Sequence, residues 1–153
     1  MKRMLTTRSA GFALSISIVL SATAHAQGVK PATLLNPNVV SEADLAKLPH
    51  LTPALAQTIV SRRPFRDMRP FNTLLQSLTP EQRTEVYGRL FVPVNLNTAT
   101  RPEFELIPGV TARLVREFLE YRPYKDMEQF RREIGKYVSR EEVARLERYM
   151  TLK

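Results

Sequence analysis

Arg63-Pro64-Phe65-Arg66-Asp67-Met68 recurs 59 residues later as Arg122-Pro123-Tyr124-Lys125-Asp126-Met127. The agreement runs outward at the same offset. Upstream, Asn36 matches Asn95, Asn38 matches Asn97, Ser41 matches Thr100, and Leu48-Pro49 matches Ile107-Pro108. Between these, Leu55 matches Leu114 and Ile59 matches Phe118; downstream, Phe71 matches Phe130. A period of this length defines the structural unit before any secondary structure is assigned. It divides the chain into a first unit at 35–91 and a second at 92–153, with Phe91-Val92-Pro93-Val94 as the junction. A unit of about 60 residues is marginal alone, so the copies are expected to pack together or share a rigid junction.

The local pattern within each copy predicts four short helices and almost no strand, an all-α fold. In the first copy, Ser41 followed by Asp44 opens a helix that stops at Leu48-Pro49. Thr52-Pro53 opens the next, and Asp67 caps a third through Leu75. Thr79-Pro80-Glu81-Gln82 is a capping box with proline at the first helical position, and its helix runs through Leu90. The second copy repeats this with Thr100 and Glu103, Asp126 and Gln129, and Ser139 and Glu142. Apolar stripes at helical spacing (Leu55, Ile59 and Val60; Leu114, Phe118 and Leu119) supply the buried faces. Phe65, Phe71, Tyr124 and Phe130 occupy matched positions and read as core.

Residues 1–26 have the form of a secretory signal: a basic start at Lys2, Arg3 and Arg8, an uncharged apolar run Gly11–Leu20, and Ala24-His25-Ala26 as the cleavage site. The run is shorter than the roughly 20 apolar residues a membrane span needs. Cleavage after Ala26 is therefore expected, with no transmembrane span afterwards. A periplasmic or secreted location follows, with residues 27–34 as a flexible lead-in. Export permits disulfides, but the chain has no Cys. Removing the signal takes 23 Lys/Arg to 20 against 15 Asp/Glu, a net +5. That charge permits an anionic partner without requiring one.

The second copy reads Val94-Asn95-Leu96-Asn97-Thr98-Ala99, then Leu106-Ile107-Pro108-Gly109-Val110, then Tyr121-Arg122. This resembles the helix-hairpin-helix modules of the competence protein ComEA family, which open "VNINTA" and continue to "LPGIG" and "YR". The likeness spans nearly all of the second copy and reaches the first through the 59-residue match. It implies two tandem helix-hairpin-helix units, non-sequence-specific binding of duplex DNA, and DNA uptake as a setting. In that family a Pro-Gly-x-Gly turn lets backbone approach a phosphate, and N–H groups at the next helix N-terminus bind it. Such contacts hold DNA without reading its bases. Four turns fit the placement here: 49–52, 76–79, 108–111 and 136–139. Of their eight glycine positions only Gly109 is filled; the second positions carry Thr52, Thr79, Thr111 and Ser139. These hydroxyls are N-cap residues, which would use the same N–H donors as a phosphate.

The expected phosphate contacts are therefore the backbone N–H groups of Gly109, Val110 and Thr111, with Arg113 and Arg116 beside them at helical i,i+3 spacing. Their counterparts in the first copy are Ala54 and Gln57. Plain solvated arginines on an exposed helix are the competing reading. The Arg62, Arg63, Arg66 and Arg69 cluster offers a phosphate stripe, but the repeated Arg-Pro beside a capping Asp favours a structural salt bridge or carbonyl contact. Arg131, Arg132 and Lys136 interleave with Glu128 and Glu133 as an i,i+4 network. No catalytic or metal-binding constellation stands out, and no cofactor or small-molecule substrate is indicated. His50 is the single histidine after Ala26. Two function classes remain: a DNA-binding module, or a protein-interaction scaffold with a periplasmic partner in which DNA binding has been lost.

Overall fold

The protein is described by a computed structural model over residues 33–153. The expected signal segment and lead-in residues 27–32 lie outside the described residues. The helices fall in two sets of four. The first set is α1 Glu42–Leu45, α2 Pro53–Ser61, α3 Met68–Leu74 and α4 Pro80–Tyr87. The second is α5 Arg101–Glu105, α6 Ala112–Glu120, α7 Met127–Ile134 and α8 Arg140–Glu147. Among the described residues the fold is all-α apart from a two-stranded parallel pair, β1 Val94–Asn95 and β2 Met150–Thr151, and an isolated parallel bridge between Leu35 and Leu90. The offset between sets is 59 residues at α2 and α6 but 60 at α4 and α8. A one-residue insertion at the end of α7 accounts for the change. There a Cβ on Gly135 would stand 2.7 Å from the Arg131 carbonyl oxygen, so the tightened chain leaves no room for a larger residue.

Hydroxyl and carboxylate side chains start the helices as their sequence positions predict. Ser41 accepts from Asp44 N–H at 3.1 Å, Asp67 from Arg69 N–H at 2.9 Å, and Asp126 from Gln129 N–H at 2.7 Å. Thr79 and Gln82 form the full reciprocal box, at 3.3 and 2.9 Å. Ser139 makes half of one: it accepts from Glu142 N–H at 3.3 Å, but the Glu142 carboxylate turns to Arg145. At Thr100 both the N–H and the hydroxyl donate to Glu103 Oε2, at 2.7 and 2.6 Å. Each cap contributes about 1 kcal/mol.

Two repeated devices close each set. In the first, the segment before the first helix pairs with the segment after the fourth. Leu35 N–H donates to Arg89 O at 2.8 Å and Phe91 N–H to Leu35 O at 2.9 Å. In the second copy Val94 N–H donates to Tyr149 O at 2.8 Å and Leu96 N–H to Thr151 O at 2.9 Å. Leu34, assigned from sequence to the lead-in, is half-buried against the core.

The second device explains the recurring Arg-Pro-aromatic hexapeptide. Arg63 donates through Nε to Pro37 O and through Nη2 to Val40 O, both at 2.5 Å. Arg122 repeats this on Leu96 O and Ala99 O at 2.5 Å. Asn38 brackets the Phe65 backbone, accepting from its N–H at 2.7 Å and donating to its carbonyl at 2.9 Å. Asn97 does the same to Tyr124, again at 2.7 and 2.9 Å. Of the alternatives open for these arginines, carbonyl contact is the one observed. Burial lowers the Arg122 pKa from its ordinary value, the expected direction for a cation drawn from water.

The buried side chains form one cluster spanning both copies. An aromatic chain links them. Phe65 meets Phe71 at 5.4 Å between centroids, Phe71 meets Tyr87 at 6.4 Å, Tyr87 meets Phe91 at 5.9 Å, and Phe91 meets Tyr149 at 4.9 Å. Phe104, Phe118 and Phe130 form a second run within the second copy, with spacings of 5.2 and 5.9 Å.

One core position carries a defect. Tyr124 is buried, and its hydroxyl has no hydrogen-bond partner. Burial drives its phenol pKa up. The matched residue of the first copy is Phe65, which has no hydroxyl to satisfy. An unsatisfied buried polar group costs about 1–3 kcal/mol. Tyr124→Phe is therefore expected to raise stability by about 1 kcal/mol in urea unfolding. A loss of stability would mean the hydroxyl has a role that packing does not reveal.

Candidate functional site

The Pro108–Thr111 turn brings the sequence-predicted residues together ahead of α6. Gly109 has a φ of +74°, a left-handed conformation that glycine adopts without Cβ strain. Thr111 caps α6 by accepting from Leu114 N–H at 3.3 Å, and the helical ladder begins with Val115 N–H to Thr111 O at 3.0 Å. The N–H groups of Ala112 and Arg113 precede that ladder and carry the positive end of the helix dipole. Val110 differs from expectation: its N–H donates to Ile107 O at 3.1 Å, and its half-buried side chain packs on the core. Val110 is a structural residue, and its donor is already engaged. Among the described residues no acceptor faces the N–H of Gly109 or Thr111.

The two predicted arginines are both exposed but separately held. The Arg113 guanidinium lies over the Tyr137 ring, 5.2 Å from its centroid, and Arg116 Nη2 is 3.3 Å from Glu117 Oε1. Glu117 is only 5% exposed, so Arg116 offsets a carboxylate that burial would otherwise penalise. Tyr137 in turn meets Tyr121, hydroxyl to hydroxyl at 2.9 Å. That bond, with Glu117 nearby, pushes the Tyr137 phenol pKa up. Arg113 is thus a cation held in place on an aromatic face.

Arg145 of α8 is the residue that sequence reading missed. Its Nη2 would lie 3.4 Å from a Cβ placed on Gly109. Two bonds to Glu142, at 2.8 and 2.7 Å, orient the guanidinium, which also lies 5.8 Å from the Tyr149 ring centroid. The pair raises the arginine's pKa and lowers that of the Glu142 carboxyl. Its signal was in the repeat, at the 60-residue offset that holds after the insertion: Arg145 occupies the place of Glu85.

That exchange reverses the charge of the equivalent turn. His50 takes the Gly109 position and has a φ of 65°, left-handed despite its side chain. Its Nε2 lies 2.8 Å from Glu85 Oε2. The first-copy turn therefore faces a carboxylate where the second faces a guanidinium. Thr52 caps α2 from Leu55 N–H at 3.2 Å, so the hydroxyl cap is common to both. The other two placements, 76–79 and 136–139, lack this geometry, because Gly109 and His50 are the left-handed residues among those described.

Comparison with protein-family models, curated proteins and solved structures found no match. Among the described residues no group of three or more His, Cys, Asp or Glu could hold a metal ion. No described helix is long and apolar enough to cross a membrane.

Proposed function

We propose that the chain is an exported, non-enzymatic module of two tandem helix-hairpin-helix units that binds duplex DNA through its phosphate backbone, without sequence specificity. The observation that carries this reading is the left-handed Gly109 turn with the Arg145 guanidinium beside it and Arg113 at the following helix start. A phosphate at this point meets N–H donors of the turn and helix and two positioned cations. Arg116 adds a weaker contribution because Glu117 already neutralises it. The first unit is read as a structural partner, since Glu85 would repel a phosphate at its turn.

A second reading, a periplasmic protein-interaction scaffold, draws support from the hydroxyl caps. Thr52, Thr79, Thr111 and Ser139 each already accept from an N–H of the following helix. The two readings diverge in one experiment. Rebuilding the first turn as His50→Gly/Glu85→Arg gives it the second turn's glycine and the guanidinium beside it, with Ala54 left at the Arg113 position. The DNA reading expects this variant to bind a short duplex about tenfold more tightly at low salt, the gain from one charge-assisted contact. Unchanged affinity, or a partner retained after nuclease treatment, favours the scaffold.

A further inference from the structure

A separate cleft of about 270 Å³ opens where the two copies meet. Arg66, just before the α3 cap, and Arg69 in its first turn line it, as do Lys153 beyond β2 and the residues Thr98 and Thr151. Two carboxylates also line it: Asp67 is paired with Arg69, whereas Glu103 is held by neutral donors and keeps its charge, so the three cations outnumber the carboxylates by one. Asp67 holds Arg69, Oδ2 to Nη2 at 3.0 Å, while capping α3. Glu103 is 5% exposed and is bound by the Thr100 N–H and hydroxyl. The Lys153 backbone is fixed on both sides: its carbonyl accepts from Asn95 Nδ2 at 3.0 Å, and its N–H donates to Thr151 Oγ1 at 3.1 Å. Arg66 and Lys153 are left as the cations without a carboxylate partner among the described residues. Its two arginines are not repeated: Arg66 and Arg69 match Lys125 and Glu128 in the second copy.

We propose that this cleft is an anion site for a phosphoryl group, with Arg66 and Lys153 as its cationic ligands and the Thr98 hydroxyl as a neutral donor. The volume lies just under the roughly 300–1,000 Å³ of organic-ligand pockets. It suits a phosphate carrying a single sugar. Such a group belongs either to a free sugar phosphate or to the backbone of a nucleic acid. The site shares no residue with the Gly109 turn, so the two inferences stand or fall separately.

The test is ¹H–¹⁵N NMR of the protein titrated in turn with inorganic phosphate, ribose 5-phosphate and a short DNA duplex. Shifts of the Thr98, Thr100 and Thr151 amides on adding inorganic phosphate are expected. Arg66→Ala should weaken that response about tenfold, the loss of one charged hydrogen bond, and Arg66→Gln nearly as much. Arg113→Ala/Arg145→Ala should leave it unchanged. Tighter binding of ribose 5-phosphate than of phosphate assigns the site to free esters. Cleft shifts produced by duplex but not strengthened by ribose assign it to the nucleic-acid backbone. Silence of these amides to all three titrants, or shifts that persist in Arg66→Ala/Lys153→Ala, would overturn the proposal.

Discussion

Phe91→Ala is expected to destabilise the protein by about 3–5 kcal/mol, the cost of truncating a fully buried aromatic residue. Phe91 is 1% exposed and sits at the junction. Its ring stands edge-on to Tyr149 at 4.9 Å and to Tyr87 at 5.9 Å, so one side chain packs on both copies. Its N–H also fastens the first unit's opening segment at Leu35. Such a loss is a large share of the 5–15 kcal/mol that keeps a domain folded. Urea unfolding followed by tyrosine fluorescence and by circular dichroism checks it. A single transition shifted to lower urea is expected, with the two probes coincident. Separate transitions in the unmodified protein, or no shift in the variant, would show that the copies do not share a core.

The second large effect is on binding. Arg113→Ala/Arg145→Ala is expected to lower duplex affinity by about 100-fold at low salt, roughly tenfold for each charge-assisted contact. Arg113 is exposed and Arg145 half-buried, and neither belongs to the hydrophobic cluster. Arg145 does hold Glu142, so Glu142→Gln should accompany the change to avoid leaving that carboxylate without its partner. Thermal unfolding establishes that the variants stay folded. Gln57→Ala, at the first-copy counterpart of Arg116, should leave affinity unchanged. Equal losses from the Gln57 and arginine variants would contradict the assignment to the second copy.

Much of the architecture was legible because the repeat exposed it twice. Caps at Ser41, Asp67, Thr79 and Asp126 follow from short-range chemistry, which a sequence displays directly. The Arg-Pro-aromatic hexapeptide announced a structural role, although its partners, carbonyls 23 and 26 residues upstream, could only come from the fold. The strand pairs were hidden because two residues carry no periodicity. Leu34 was assigned to the lead-in for a related reason: an isolated apolar residue gives no pattern.

The candidate site was legible in part. Gly109 and Thr111 stood out through the resemblance of their turn to a helix-hairpin-helix hairpin, and Arg113 by its helical spacing from Arg116. Val110 did not reveal that its N–H closes a turn onto Ile107, since backbone pairing leaves no mark on side-chain chemistry. Arg145 lay beyond a one-residue insertion that moved the copies out of register. The left-handed backbone of His50 was equally obscure, because sequence marks such positions mainly through glycine.

The central claim is that the second copy grips a phosphate backbone, and duplex binding across a salt series tests it most directly. Each neutralised phosphate contributes a slope of about −0.9 in log affinity against log salt. A single phosphate held by the Gly109 turn, Arg113 and Arg145 predicts a shallow linear fall, with a slope of about −1, the same for duplexes of unrelated sequence. Removing both arginines should flatten it. Absence of binding at low salt, or binding indifferent to salt, would contradict the account.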